Sequence, residues 1–441
     1  MLKKIKLSFK ELLIFTFPLI VGQVGQMLFG IGDTFVAGRY STEALSAIGV
    51  GSAIMAPFIM LGVATLFSVS SISSRIRGEG NCPRDEKIWG SALILCALIA
   101  TTLTLCLYIL AINLDLFGLH SDISKEVQTY LYWVGISLVP ALFFQTAKEY
   151  LQSFEKTIFA NSLVIFMNIV NLGMNWVFMF GYGPIPAMGI KGAALATVIT
   201  RSVMALVLLV YTFKVAPCTL HYSKQRISEL IKLGLPVGLG TLVEVLMFST
   251  VTVLIGKMPI HISAAHNIVL NIAGLTFMVP LAINGTAGVK VSYAFGKKDF
   301  DKMESYALGC IVMAQSFMLF TATMYLLIPS QLVSLFTTDQ QVVAYGSSLF
   351  LLVALFQIPD GLQVTLWGIL RGMGISKLPL ILTFFGHWLI AIPIGLYLTY
   401  KLNMQAKGLW AGLAIGLTIV SFALLGIYFK KLKLFKDQNQ A

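Results

Sequence analysis

Apolar residues run along this chain in stretches of about twenty or more, cut by short segments that are charged or rich in glycine and proline. Strands of a membrane barrel would instead alternate apolar and polar residues in segments of about ten. The pattern therefore predicts helices that cross a bilayer. Cutting at the punctuation gives about twelve spans, centred near Val24, Gly62, Thr101, Leu138, Ile169, Met204, Leu246, Leu275, Met313, Val353, Leu389 and Leu417. Several exceed the minimum crossing length, so tilts, kinks or interfacial extensions are expected.

Lys and Arg fall unevenly between alternate loops. One side takes Lys3, Lys4, Lys6 and Lys10, the Arg75–Lys87 loop, Lys148, Lys156, Lys214–Lys232, Lys297–Lys302, Arg371, Lys377 and the tail from Lys430 to Lys436, in all 23 basic residues. The other side holds Arg39, Lys125, Lys191, Lys257, Lys401 and Lys407, which is 6. This bias predicts both termini in the cytoplasm and a multi-pass protein of the plasma (inner) membrane.

Composition agrees. The 441 residues are 57% hydrophobic and 11% charged, with mean hydropathy +0.85. A soluble domain is about 25% charged and about 45–50% apolar, so soluble, disordered, collagenous and disulfide-scaffold classes are excluded. The net charge of +12 belongs to cytoplasmic loops rather than to a nucleic-acid surface, and no nucleic-acid partner is expected. Five cysteines without a CxxC pair support neither a metal site nor a disulfide frame. The first apolar stretch, from about Glu11 to Gly38, is too long for the core of a signal peptide and reads as a retained first span.

The halves resemble each other at an offset near 218. Pro18 pairs with Pro236, Gly38 with Gly256 and Gly78 with Gly296; Pro140 pairs with Pro359 at 219, and IKGAALA around Lys191 matches AKGLWAG around Lys407. Six spans per half in one orientation make a parallel repeat about an axis along the membrane normal. The expected boundaries are an N-terminal lobe over 1–215, a polar cytoplasmic linker over 216–232 and a C-terminal lobe over 233–441. Two six-helix lobes about a central cavity is transporter architecture.

Of nineteen acidic residues, sixteen fall in loops or at span ends. Asp33, Glu244 and Asp360 do not. A carboxylate at mid-bilayer costs at least about 2.5–3.5 kcal/mol, which marks each as a candidate functional residue. Gly30 and Gly32 thin the helix before Asp33, and Pro359 frees a backbone carbonyl in the turn before Asp360. Carbonyls beside a carboxylate suit Na+; a buried carboxylate suits H+ equally. Asn171 and Asn175 share a helical face and can hydrogen-bond Asp33, line the cavity or join helices. Gln23, Gln26 and Gln357 carry the same alternatives. His387 reads as structural, and Lys290 as snorkelling or paired with an acid. No GxxxxGK[ST], HExxH, GxSxG or paired DDxxD motif is present, and no soluble segment is large enough for an ATPase.

The stretches GIGDTFVAGRYSTEALSAIGVGS, GYGPIPAMGIKGAALAT, ISAAHNIVLNIAGLTFMVPLAI, FQIPDGLQVTLWGILRGMG, and HWLIAIPIGLYL with AKGLWAGLAIGLT resemble the multidrug and toxic compound extrusion (MATE) transporters, in their NorM-like branch. The resemblance covers nearly the whole chain in the family's order. It implies an all-α integral membrane fold with twelve transmembrane helices in two pseudo-symmetric six-helix lobes set in a V. It further implies alternating-access antiport, exporting cationic or amphipathic aromatic compounds against inward Na+ or H+, with no enzymatic activity and no cofactor beyond the coupling ion. The family's acids fall on Asp33, Glu244 and Asp360, the last two as a candidate Na+ site. Its asparagine face falls on Asn171 and Asn175, with Gln26, Gln357 and Phe356 expected along the substrate cavity. Phe356 stands where related members carry a tyrosine, removing one oxygen ligand, and SFEKT replaces a more glycine-rich turn. A closed two-lobe repeat needs no partner, so a monomer is expected. The rival readings are a flippase for a lipid-linked oligosaccharide, disfavoured because only Lys290 and Arg201 are deep cations, and a membrane-embedded enzyme.

Overall fold

The structure, a computed structural model, describes residues 2–114 and 121–440, with side chains over 9–114 and 124–438; those of Lys3, Lys4 and Lys6 lie outside the described residues. Among these residues the chain is helical and contains no strand. In order it forms α1 (Leu2–Tyr40), α2 (Thr42–Gly78), α3 (Ile88–Ile112), α4 (Ser121–Ile136), α5 (Leu138–Ser153), α6 (Ile158–Phe180), α7 (Ile190–Val215), α8 (Lys224–Gly256), α9 (Ile260–Gly296), α10 (Phe300–Leu327), the short α11 (Pro329–Ser334), α12 (Gln340–Gly372), α13 (Lys377–Phe384), a π-helical turn (Phe385–Ala391), α14 (Ile392–Tyr400) and α15 (Ala406–Gln440).

Twelve stretches are long and apolar enough to cross a membrane, and each contains one of the expected span centres. Two are not single straight helices. The fourth, Ser124–Ser153, breaks at Ser137, and the eleventh, Lys377–Tyr400, carries the π turn in its middle. Large apolar side chains such as Ile109, Phe166, Ile169, Leu355 and Phe422 stay more than half exposed. Water would penalise such a surface; lipid covers it.

The helices group into two compact units. The N unit is Phe17–Gly238, and the C unit is Leu239–Ala441 together with Met1–Thr16. These boundaries differ from those expected at 215 and 233. Residues 216–223 are strapped onto the N unit: the Tyr150 hydroxyl donates to the Pro217 carbonyl (2.6 Å), and Ser91 Oγ accepts from the Ser223 amide (3.0 Å). Burial of this strap pushes the thiol of its Cys218 up to about 12. The start of α8 is held there by charge. Glu229 accepts from both Arg75 and Arg226, and Arg226 also pairs with Glu86.

The mirror arrangement holds in the C unit. Glu11, which stands 218 residues before Glu229, pairs with Lys290 of α9 at 2.7 Å. The Tyr306 hydroxyl donates to the same carboxylate at 3.0 Å, and Phe15 caps the ammonium with its ring at 5.2 Å. Thr16 then touches Thr286 at 2.8 Å, while in the N unit its counterpart Gly234 lies so close to α2 that a Cβ would fall 2.1 Å from the Thr65 carbonyl. Each half's first helix therefore begins in the other half's unit.

The repeat also shows in the backbone. Positive φ occurs at Gly80 (86°) and Lys298 (58°), at Glu155 (62°) and Gly374 (79°), and at Gly189 (56°) and Gln405 (52°). Each pair occupies matching loops of the two halves, and in each a non-glycine takes a conformation that glycine adopts without steric cost. Glu155 is the glutamate of SFEKT.

The N unit's apolar core is built around Leu66, Ile72, Trp89 and Tyr150, the C unit's around Met247, Phe350, Val353 and Trp410. Two basic residues counted with the cytoplasmic loops, Lys148 and Arg371, are buried inside α5 and α12, so deep cations are not confined to Lys290 and Arg201. In a sheltered helix face, position along the chain does not reveal which side a residue faces.

Candidate functional site

Among the described residues, each unit gathers a polar cluster from several helices around an acid singled out in the sequence. In the N unit, α1 supplies Asp33 and α6 supplies Asn171 and Asn175, spaced four apart and so on one face. Asn175 Nδ2 donates to Asp33 Oδ1 (2.5 Å) and to Asn171 Oδ1 (3.2 Å). From α7, Thr197 Oγ1 donates to Asp33 Oδ2 at 3.4 Å. The same hydroxyl lies closer to the Ala193 carbonyl (3.1 Å), so Oδ1 holds the firm bond and Oδ2 only a shared one; all four residues are buried. Tyr130 of α4 lies within electrostatic reach of Asp33 and meets Ser52 of α2 at 3.3 Å. Arg201, one turn beyond Thr197, donates to Ser137 Oγ (2.8 Å) at the break between α4 and α5. Gln26 sits half-buried on α1 and is not drawn into this cluster.

In the C unit the cluster spans α8 and α12. Gln363 Nε2 donates to Glu244 Oε1 at 3.2 Å, and Asp360, three residues before Gln363 on the same face, lies within electrostatic reach of Glu244. Asp360 follows Pro359, which has no amide hydrogen to offer the carbonyl four residues back. One turn earlier Gln357 is fully buried, bonding Thr276 (3.1 Å) and Thr321 (3.2 Å), and Thr276 meets the Tyr325 hydroxyl at 2.8 Å. The amide oxygens of Gln357 and Gln363 are buried without a hydrogen-bond partner. Trp388, in the π turn, donates its indole N–H to the carbonyl of Val243, immediately before Glu244 (3.2 Å). Phe356 does not line an opening. Its ring packs in the apolar core, edge-on to Phe248 and Trp410 at 6.1 and 5.7 Å.

Thus the three acids singled out in the sequence fall into two sites, Asp33 with the asparagines and Glu244 with Asp360. Gln363, Thr197, Tyr130 and Thr276 were missed. Gln363 was findable as the amide one turn after Asp360 in the same span, as Gln357 is the one before it, whereas Thr197 has no local signal. A further intramembrane acid was missed as well: Glu149, counted among the solvated ones, is 3% exposed, more deeply buried than Glu244, which is half-buried, and accepts from Gln145 at 2.8 Å. Lys290 is paired with Glu11, as its depth required. His387 lies in the π turn with Nδ1 2.7 Å from the Thr383 carbonyl, a structural placement. Among the described residues no cluster of three His, Cys, Asp or Glu side chains could hold a metal.

A helical protein that crosses the membrane many times and keeps a carboxylate cluster in each repeat has the make-up of a secondary transporter. The chain belongs to the MatE family, whose model matches it twice, over residues 18–177 and 236–397. The two matches begin at Pro18 and Pro236, the offset of the internal repeat. It is 30% identical over 423 residues to a probable multidrug resistance protein NorM of Xanthomonas axonopodis pv. citri, covering 94% of this chain and 92% of that one. It is 28% identical to the multidrug resistance protein NorM of Aliivibrio fischeri, covering 92% and 91%. Among solved structures, a eukaryotic MATE transporter superposes with TM-score 0.88 at 16% identity over 99% of both chains. A MOP superfamily transporter from Pyrococcus furiosus does so with TM-score 0.88 at 19% identity over 97% of both. These likenesses fix the fold as that of a multi-pass MATE-type membrane protein.

Proposed function

We propose that this chain is a multidrug efflux antiporter of the plasma (inner) membrane, with both termini cytoplasmic. It exports cationic or amphipathic aromatic compounds in exchange for inward Na+ or H+, and acts as a monomer. The observation that carries this reading is the C-unit cluster. Two carboxylates, Glu244 and Asp360, stand within electrostatic reach of each other, with a single amide donor between them. Two buried amide oxygens beside them lack partners. Such a site favours a small cation or proton that relieves like-charge repulsion and satisfies the free oxygens. A Na+ taken there is cargo, held by Glu244 and Asp360 with amide or backbone oxygens completing its shell, because Phe356 offers none.

A cationic compound and the coupling ion would compete for these carboxylates. Coupling needs only that the two bind exclusively and stabilise different states of the alternating cycle. The relatives' multidrug resistance names support the same reading. The direct test is a proteoliposome assay of ethidium movement under an imposed Na+ or H+ gradient, with the ion flux recorded at the same time. Ethidium-dependent ion flux is expected. Ethidium movement that ignores both gradients would sink the antiport reading.

A further inference from the structure

The repeat makes one helix crossing in each unit directly comparable. In the C unit, α12 crosses α9 on glycine. A Cβ on Gly368 would fall 2.4 Å from the Asn284 carbonyl oxygen, and one on Gly372 would fall 2.9 Å from Val291. Ser292 Oγ closes the crossing by donating to the Gly372 carbonyl at 3.1 Å. The buried cations Arg371 and Lys290 are engaged there by the Asn284 carbonyl and by Glu11. In the N unit the equivalent crossing joins α5 to α2, and at the same offsets Glu149 replaces Gly368, Ser153 replaces Gly372 and Ser73 replaces Val291. Ser74 is the counterpart of Ser292, but here Arg77 takes the Ser153 carbonyl. Ser73 Oγ, Ser74 Oγ and Lys148 Nζ are buried without a hydrogen-bond partner. Lys148 and Glu149 are each 3% exposed; Glu149 accepts from Gln145 at 2.8 Å and lies within electrostatic reach of Lys148. Other charged or titratable groups on the helices packed against α5 are engaged elsewhere: Arg75 of α2 with Glu229, Cys96 of α3 with Thr146, Tyr130 of α4 with Ser52 and Arg201 of α7 with Ser137. The crossing that one unit closes with glycine is thus, in the other, a buried polar seam with an acid, an amine and two unpaired hydroxyls.

We propose that this seam is a proton-handling site of the N unit, through which Glu149 and Lys148 pass the coupling proton to the cytoplasm. Glu149 stands one turn from the end of α5, on the side of the basic loops. In the step proposed, the proton leaves the Glu149 carboxyl for the lone pair of Lys148 Nζ, which leaves a carboxylate and an ammonium. The ammonium then gives the proton to water and returns to the amine. Buried polar groups are paired with protein or with water, so the two serine hydroxyls suit a water chain along the seam. A carboxylate beside an ammonium repels a metal cation but can share a proton, and an intramembrane acid is retained against its insertion cost where it has work to do. The assignment rests on the antiport reading and narrows its ion to H+.

The test is ethidium-coupled proton flux in proteoliposomes of the full-length protein, read with a trapped pH dye in Na+-free buffer, for wild type, Glu149→Gln, Glu149→Asp and Lys148→Gln. Ethidium affinity is measured alongside by fluorescence anisotropy in detergent. Glu149→Gln and Lys148→Gln are expected to lower the flux at least about tenfold, with ethidium affinity within about twofold of wild type. Glu149→Asp keeps a titrating group and should return the flux to within about threefold of wild type, which a merely structural role would not predict. Near wild-type flux in Glu149→Gln, equal loss of flux and affinity, or no rescue by Glu149→Asp overturns the proposal. If Glu149→Gln is not recovered as a monodisperse protein, Ser73→Val, which copies Val291 of the C unit, decides. A flux loss of about threefold or more then supports the seam, and a smaller one overturns it. Wild-type flux of Na+ alone overturns the seam and leaves antiport standing, whereas no ethidium-coupled flux of either ion overturns both.

Discussion

The N and C units share an ancestry legible in their proline positions and positive-φ turns, yet their polar clusters have diverged in chemistry. Asp33 accepts from Asn175 on one oxygen, has the Thr197 hydroxyl near the other, and lies within electrostatic reach of Arg201, one turn beyond Thr197 on α7. Glu244 and Asp360 are two acids with one donor and two unsatisfied amide oxygens nearby. The repeat partners of Glu244 and Asp360 are Gln26 and Ala141, and neither carries charge. A duplicated scaffold has thus kept its helices while concentrating unbalanced negative charge on one side. Both clusters keep buried amide atoms without a partner, Asn171 Nδ2 and Asn175 Oδ1 beside Asp33 and the Oε1 atoms of Gln357 and Gln363 in the C unit, so what separates them is the second acid rather than the state of their amides.

The sharpest way to break this comparison is to neutralise the acids one by one. Glu244→Gln and Asp360→Asn should each cut gradient-driven ethidium efflux by at least about tenfold, with membrane expression unchanged, because each removes a unit charge from an uncompensated pair. Near wild-type export by both would end the shared-carboxylate scheme. Asp33→Asn should leave Na+- or H+-dependent release in place and alter its rate less. The reverse pattern, with dependence lost in Asp33→Asn and kept in Asp360→Asn, would move coupling into the N unit.

Structural contacts sharpen the contrast further. Glu11→Ala leaves Lys290 buried without its carboxylate, a loss that costs several kcal/mol for a fully buried pair and less here because Glu11 is partly exposed. Its thermal midpoint in detergent should fall by several degrees, and adding Lys290→Met should recover part of the loss; unchanged stability in the single variant would show the pair to be idle. The smallest effect is expected for Trp388→Phe, which removes one hydrogen bond worth about 1 kcal/mol from the backbone next to Glu244. Ion affinity should weaken about fivefold with ethidium affinity little changed, and equal loss of both would mean general loosening instead. A periplasm-only reporter fused after Ala441 should be silent, placing the C-terminus inside.

All twelve spans were legible, because lipid rewards sustained apolarity regardless of what each helix packs against. What stayed hidden was set by distant neighbours. The π turn at Phe385–Ala391 brings Gly386 against Val420, and a Cβ there would lie 2.0 Å from that side chain. No periodicity in the eleventh span announces this. The supposed linker read as polar and free because its partners, Ser91, Tyr150 and Arg75, lie 65 or more residues earlier in the chain. The acids of the site were readable from the cost of burying charge, and Asn175 from its spacing to Asn171. Thr197 was not, since threonine is ordinary in a membrane helix until a carboxylate from another span meets it.

The exchange of helix beginnings also constrains how the chain is made. Lys290 and Tyr306, which receive Glu11, are synthesised more than two hundred and seventy residues after it. The opening turns of α1 must therefore wait through most of translation, while the start of α8 finds Arg75 and Glu86 already in place. The C unit is consequently the last to close. A polypeptide split in the loop before Lys224 would ask two separately inserted pieces to trade their leading helices, so neither piece is expected to mature without the other.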